Sequence, residues 1–274
     1  MAKLRRQRRG RADAFAADTA KPFVRFPSLA GPMLVYAIWQ EEPEGRVPVR
    51  VMEVDGAFQS AAYLVEGREY DPVFAYIRAY DCLYAARDAD GRSAPCANLL
   101  MLGGGGYAWP KHVVAHHPES RIDVVELDPT VTAVAGRYFF LDRCREEFET
   151  DANGRLGLVC ADALAYLESG EGASYDAIAN DLFSGRVPAA SLMTPEAAAL
   201  IRRRLVPGGL YLTNVISALS GEGSGLLQDL AATFGTAFAH VHVLPVGAYP
   251  EDDRDNNLLI ATDGEWVIPG AREL

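Results

Sequence analysis

The sequence predicts an α/β fold: a seven-stranded sheet of five parallel strands closed by an antiparallel terminal pair, with a small β cap before it. Three observations carry this. From residue 98 onward, strand-sized apolar runs alternate with helical stretches, the pattern of right-handed βαβ units. The first of those runs ends in four glycines, Gly103 to Gly106. The last two, 237–243 and 257–261, are separated by a turn-rich acidic loop too short for a crossover helix, so they pair antiparallel.

The elements follow in order. Residues 1–30 are basic, polar or proline-marked and read as a poorly ordered arm. Residues 31–90 form the cap and one helix. Alternation over 47–54, the Asp55-Gly56 turn and the run 57–65 describe a hairpin. Residues 71–87 read as the helix, with Phe74, Ile77, Tyr80, Cys82 and Tyr84 on its apolar surface. Asp88 to Pro95 is a linker by composition. The domain 91–274 then carries strands at 98–102, 122–127, 156–160, 175–180 and 209–215, with helices at 129–138, 162–168 and 195–205 between them.

Composition narrows the function classes. Apolar residues at 49% and charged residues at 23% are ordinary for a soluble globular chain, and no apolar run approaches the ~20 residues of a membrane helix. The basic N-terminus lacks the apolar segment of a signal peptide. Six of the 26 Lys and Arg residues fall in residues 1–11, which hold none of the 37 acids. The body is therefore strongly acidic, which disfavours nucleic acid and membrane partners and tolerates a cationic small molecule. Cys82, Cys96, Cys144 and Cys160 have no ligand spacing and read as reduced thiols of a cytoplasmic protein. His112 and His116, and His240 and His242, have no acid beside them in a metal motif, so no metal is expected.

Chemistry concentrates at the ends of the parallel strands. Glycines after the first strand let the backbone turn sharply and approach a ligand. Gly103, Gly105 and Ala108 fit a G-x-G-x-x-A fingerprint, which leaves a nicotinamide cofactor and an adenosyl sulfonium both open. Glu126 lies 20 residues after Gly106, at a strand end, where a carboxylate accepts both hydroxyls of a ribose. Asp162 follows the third strand and either meets an adenine amino group or caps the next helix. Asp181 ends the fourth strand beside the centre of the crevice. Pro207-Gly208-Gly209 precedes the fifth strand, a habit of adenosylmethionine-dependent enzymes rather than dehydrogenases.

Together these segments resemble the spermidine synthase-like family, on the Rossmann-like class I methyltransferase sheet, from about Val51 to Ala261. Val54-Asp-Gly-Ala-Phe-Gln59 is similar to its β-hairpin motif and Arg68-Glu-Tyr70 to its tyrosine segment. The glycine loop, Val125-Glu-Leu127-Asp128 and 175–181 follow in the family's order and spacing. The resemblance implies a donor, S-adenosylmethionine or its decarboxylated form, held by Gln59, Gly103, Gly104, Gly105, Glu126, Leu127, Asp162 and Ala163. Asp181 would be the catalytic group, with Tyr70 and Ser184 toward the acceptor. It further implies a homodimer or homotetramer built through the N-terminal β region, and a small-molecule acceptor such as a polyamine.

The sequence also departs from the family. Polyamine-forming members typically read Gly-Gly-Gly-Asp-Gly, where this chain has Gly106 and Tyr107 in the last two places. They carry Asp-x-x-Asp-Pro after the fourth strand, where this chain has Ser184 and Gly185. Each lost charge-assisted bond is worth about 1.5–3 kcal/mol, so losing both weakens amine recognition by ~10² to 10⁴. The acidic loop 251–255 is a candidate replacement. The segment 181–188 more closely resembles a bacterial spermidine synthase-like group sometimes fused to transporter-like helices. Three readings therefore stand at this point: an aminopropyl or methyl transferase, a non-catalytic nucleoside-binding protein, and a nicotinamide-dependent oxidoreductase.

Overall fold

The computed structural model describes residues 23–170, 174–184, 187–247 and 250–274. Two sheets dominate it. The first is an antiparallel four-stranded sheet in chain order: β1 (Val24–Ser28), β2 (Gly31–Glu42), β3 (Gly45–Val54) and β4 (Ala57–Tyr63). Asp55 and Gly56 both have positive φ, 51° and 74°, as a two-residue hairpin turn between right-twisted strands requires. Strand β1 lies within the stretch expected to be an arm. Its pairing with β2, from Val24 opposite Val35 to Ser28 opposite Gly31, supplies order that its composition did not advertise. The remainder of that arm, through residue 22, lies outside the described residues.

Two short helices follow, α1 (Ala75–Ala79) and α2 (Cys82–Ala85), where one continuous helix was expected. Tertiary contacts break it. The Tyr80 hydroxyl donates to the Asn180 carbonyl, and Asp81 accepts from Trp109 Nε1 at 2.8 Å. These bonds fix residues 80–81 in turns rather than in a regular helical ladder.

The second sheet holds β5 (Asn98–Leu102), β6 (Arg121–Glu126), β7 (Leu156–Cys160), β8 (Tyr175–Asn180), β11 (Leu205–Ser217), β12 (His240–Pro245), β13 (Asp255–Thr262) and β14 (Arg272–Glu273). Their spatial order is β14-β12-β13-β11-β8-β5-β6-β7. Strands β5, β6, β7, β8 and β11 are parallel, and β13 pairs antiparallel with both β11 and β12. This is the expected seven-stranded sheet with one addition, the two-residue β14 on the β12 edge. A separate two-stranded ribbon joins β9 (Phe183–Ser184) to β10 (Val187–Pro188).

Alternation along the strands builds a core on each face. Leu99, Met101, Ala177, Ala179, Leu210 and Leu212 belong to one buried cluster; Leu100, Leu102, Ile178 and Tyr211 belong to the other. Burial on both faces is what the near-continuous apolar runs required. Helix starts are chemically marked. Asp128 accepts from Thr130 N ahead of α4 (Pro129–Tyr138), and Asp162 from Ala165 N ahead of α7 (Ala163–Ser169). Thr194 accepts from Ala197 N ahead of α8 (Pro195–Arg204), a third side-chain N-cap. The N-terminal sheet is not a separate body. Met33, Val35, Met52 and Val54 pack with Val134, Tyr138, Phe139 and Phe140 of the larger domain. No helix among the described residues is long and apolar enough to cross a membrane.

The decisive feature for function is the sheet's reversal. The chain runs outward from β5 to β6 and β7, then crosses to β8 and β11 on the other side. The carboxyl ends of β5 and β8 therefore bracket a crevice, the place where open α/β sheets bind ligands.

Candidate active site

A cavity of about 590 Å³ opens at that crevice. The loop after β5 forms its floor. Gly103 has φ +93°, and a β-carbon there would stand 3.1 Å from Leu182 and 3.2 Å from the Asp181 carbonyl. The backbone of the β8 end thus lies directly on the glycine, with Asp181 N donating to the Leu102 carbonyl. At Gly104 a β-carbon would strike the Tyr107 ring at 2.7 Å. Tyr107 itself has positive φ, 54°, and is buried, its hydroxyl within 2.8 Å of Thr132 Oγ1. Tyr107 therefore packs beneath the loop. Trp109 is also buried and contributes to the cavity wall.

Glu126 Oε2 accepts from Gly104 N at 2.9 Å and Gly105 N at 3.3 Å, while its Oε1 accepts from Asp128 N. The carboxylate is thus clamped between the glycine loop and the start of α4, at the cavity wall. The turn between β1 and β2 reaches the same wall: Leu29 N donates to Asp128 Oδ2 at 2.7 Å. Ser28, Leu29 and Ala30 thereby cover one side of the cavity.

Among the described residues, Asp181 is the acid whose carboxyl is raised furthest. Burial pushes its carboxyl up to about 7, against the opposing pull of Tyr76 and Asn214. The Tyr76 hydroxyl donates to Oδ2 at 3.2 Å, whereas Oδ1 is shut from solvent with no hydrogen-bond partner among the described residues. Its strand neighbour Asn180 fixes the β8 end, donating to Tyr211 and Thr213 and accepting from Leu182 N.

The predicted residues divide cleanly. Gln59, Gly103, Gly104, Gly105, Glu126, Leu127 and Asp181 meet at the cavity wall. Asp162 and Ala163 do not: Asp162 is exposed and acts as the cap of α7. Tyr70 also stands outside it, its hydroxyl donating to Glu147 Oε2 at 3.0 Å and its ring edge-on to Phe148. Ser184 lies on β9, and its side chain is outside the described residues. Sequence reading missed Tyr76, Ser60 and Asp128 as wall residues. No local spacing marked Tyr76, whose partner lies 105 residues away, whereas Asp128 stood in plain view two residues from Glu126.

At Gly106, where the resemblance would place an aspartate, there is no room for a side chain as the chain is packed. A β-carbon on Gly106 would collide with Ser60 Oγ, and would lie 3.1 Å from Phe139. The space that an aspartate would enter is occupied by the cap's own strand.

Residues 93–250 match the spermine/spermidine synthase domain family. The chain belongs to this family. A polyamine aminopropyltransferase of Vibrio vulnificus (strain CMCP6) is 30% identical over 146 residues, 53% of this chain and 44% of that one. The eEF1A lysine and N-terminal methyltransferase of Homo sapiens is 29% identical over 148 residues, 50% of this chain and 20% of that protein. The chain therefore spans less than half the length of either relative. In three dimensions it is similar to a protein of Corynebacterium glutamicum ATCC 13032 described as a probable spermidine synthase. The TM-score is 0.66 at 21% identity, over 89% of this chain and 81% of that one, which establishes the spermidine synthase fold.

The histidines require a correction. The sequence placed no acid beside His112 and His116, but the fold brings Asp71 and Asp81 next to them and to His117. The thiols are all free. Cys144 is buried, Cys82 and Cys96 are half-buried, and Cys160 is exposed. Burial pushes Cys82 and Cys144 up to about 12, which leaves them inert as nucleophiles.

Proposed function

We propose that the chain is an S-adenosyl-dependent transferase that moves an aminopropyl or methyl group from a sulfonium donor to an amine. The observation that carries this reading is Asp181, a carboxylate at the β5/β8 crevice with Tyr76 on Oδ2 and with Oδ1 shut from solvent and without a hydrogen-bond partner among the described residues. A protonated amine must lose a proton before it attacks, and a carboxylate pushed up to about 7 is matched to taking it at neutral pH. The amine lone pair then forms a bond to the carbon on sulfur. The carbon–sulfur bond breaks, its electron pair stays on sulfur, and a neutral thioether nucleoside leaves. In-line placement of amine and sulfonium supplies much of the acceleration.

Charge favours the decarboxylated donor. Asp55, Glu126, Asp128 and Asp181 line the cavity, and its described lining includes no Lys, Arg or His. Such a wall suits a sulfonium carrying an ammonium and disfavours the free carboxylate of S-adenosylmethionine. One observation favours methyl transfer instead. Gly106 offers no carboxylate to the donor's ammonium, and Ser60 closes that space. In either case Glu126 would hold the ribose.

The acceptor is a small molecule, a polyamine in the aminopropyl case. Assembly as a homodimer or homotetramer through the N-terminal sheet is supported by Trp39 and Phe58, large apolar side chains exposed on it. A cytoplasmic setting accords with four free cysteines.

Calorimetric titration with S-adenosylmethionine, its decarboxylated form, methylthioadenosine and NAD tests the reading, followed by turnover with putrescine. Preference for the decarboxylated donor and an aminopropylated product establish aminopropyl transfer. Preference for S-adenosylmethionine moves the assignment to methyl transfer, and binding of NAD alone refutes both.

A further inference from the structure

Outside the cavity, three of the chain's five histidines gather with two aspartates on the far side of Trp109. Asp81 sits in the turn between α1 and α2; His112 and His116 sit in the middle and at the end of helix α3 (Ala108–His116), and His117 just after it. Asp81 Oδ2 is 2.8 Å from His112 Nε2 and 4.0 Å from His117 Nε2. One ligand atom from each of Asp81, His112 and His117 lies within 4.8 Å of the other two, and all three residues are half-buried. A second, more exposed trio of Asp71, His112 and His116 shares His112, with Asp71 Oδ1 3.4 Å from His116 Nε2.

We propose that Asp81, His112 and His117 bind one divalent transition-metal ion of the zinc class, with water in the remaining position. Bonds of ~2.0–2.1 Å at tetrahedral angles place ligand atoms ~3.3 Å apart, and small side-chain rotations bring all three to that spacing. The donor set of two imidazoles and one carboxylate suits zinc, cobalt or nickel rather than magnesium or calcium.

Two features go beyond proximity. Trp109 Nε1 donates to Asp81 Oδ1 at 2.8 Å, leaving Oδ2 to face the histidines. Such outer bonds orient ligating carboxylates. The His117 ring stacks on Tyr84 with centroids 3.6 Å apart, which fixes its plane.

An ion here would tie the turn after α1, which carries Tyr76, to the helix that follows the glycine loop. It would thereby clamp two walls of the cavity from behind. Binding itself can be measured without any turnover, so the test stands apart from the transferase reading.

The chain, freed of metal with a chelator, is titrated with Co²⁺ and followed by visible absorption, then with Zn²⁺ by calorimetry. One Co²⁺ per chain with a ligand-field band, displaced by one Zn²⁺, is the expected result. Asp81→Asn, His112→Gln and His117→Gln should each weaken Zn²⁺ binding at least ~10-fold. Asp81→Asn keeps an acceptor for Trp109, and circular dichroism of each metal-free variant verifies folding. A His240→Ala/His242→Ala variant should bind as the parent does. The proposal fails if no ion binds, if the three variants bind unchanged, or if the β12 variant loses the ion equally. Failure would make the cluster a hydrogen-bonded histidine network that only braces the two helices.

Discussion

The Tyr76 hydroxyl reaches Asp181 Oδ2 at 3.2 Å across 105 residues of chain, joining a short helix after the cap to the end of β8. This bond opposes the effect of burial on the carboxyl. Desolvation raises the pKa of Asp181, and the phenol's donation to the charged form lowers it. The residue rests between the two, at about 7.

A pH profile should follow from that value. At low acceptor concentration, where it reports the free enzyme, kcat/KM for the donor should rise with pH through about 7 as Asp181 loses its proton. Asp181→Asn should retain nucleoside binding, lose turnover by at least ~10²-fold and show no such limb. A parent profile flat between pH 6 and 8, or an active Asn variant, removes Asp181 from the proton-accepting role.

Tyr76 acts on the reaction through Asp181, as a positioning residue. Tyr76→Phe deletes a bond to the charged carboxylate, so the acidic limb should move to higher pH by about one unit. Donor affinity measured by calorimetry at pH 9, where the carboxylate is charged in both proteins, should change little. A fall in rate with no displacement of the limb would mean that the tyrosine only packs.

How much of this was legible in the sequence depended on distance along the chain. The glycine loop and Glu126 belong to one strand–helix–strand unit, β5 to β6, whose spacing is set by local geometry, and both lie at the cavity wall. Asp162 had two readings, and the local one, a helix cap, is what the fold displays. Tyr76 was invisible because its partner lies in another part of the chain, beyond the reach of periodicity. The Asp81–His112 contact spans 31 residues and two elements, so no spacing rule announced it. Strand β1 was missed because pairing with β2, not local composition, stabilises it. The broken helix at 80–81 has the same cause: tertiary hydrogen bonds override local propensity.

Gly106 offers a test of packing. Gly106→Asp should destabilise the chain by roughly 1–3 kcal/mol, since the new side chain meets Ser60 and Phe139. Ser60→Gly in the same chain should recover part of that loss, and neither change need disturb Gly103 or Glu126. Urea denaturation of the single and double variants provides the comparison. If the double variant is no more stable than Gly106→Asp alone, Ser60 is not what closes the space. A double variant that folds and gains affinity for the decarboxylated donor would identify residue 106 as the position that sets donor choice.

Lys111 gives the clearest prediction for stability. It is fully buried on α3, where its ammonium donates to the Phe139 carbonyl and burial lowers its pKa to about 7. Unfolded, it titrates at its ordinary value of 10.5. Between these two values the unfolded chain binds more protons than the folded one, so stability must rise with pH across that window. Below about pH 7 both states are charged, and the full cost of a buried ammonium is present. The slope should approach 1.4 kcal/mol per pH unit, roughly, in the middle of the window. Lys111→Met removes the titrating group and fills a similar volume. Urea midpoints of parent and variant between pH 6.5 and 9.5 should therefore converge as pH rises if the variant is the more stable below 7. If it is the less stable, they should diverge. Parallel curves would show that Lys111 stays charged throughout, with its ammonium adequately solvated by the Phe139 carbonyl.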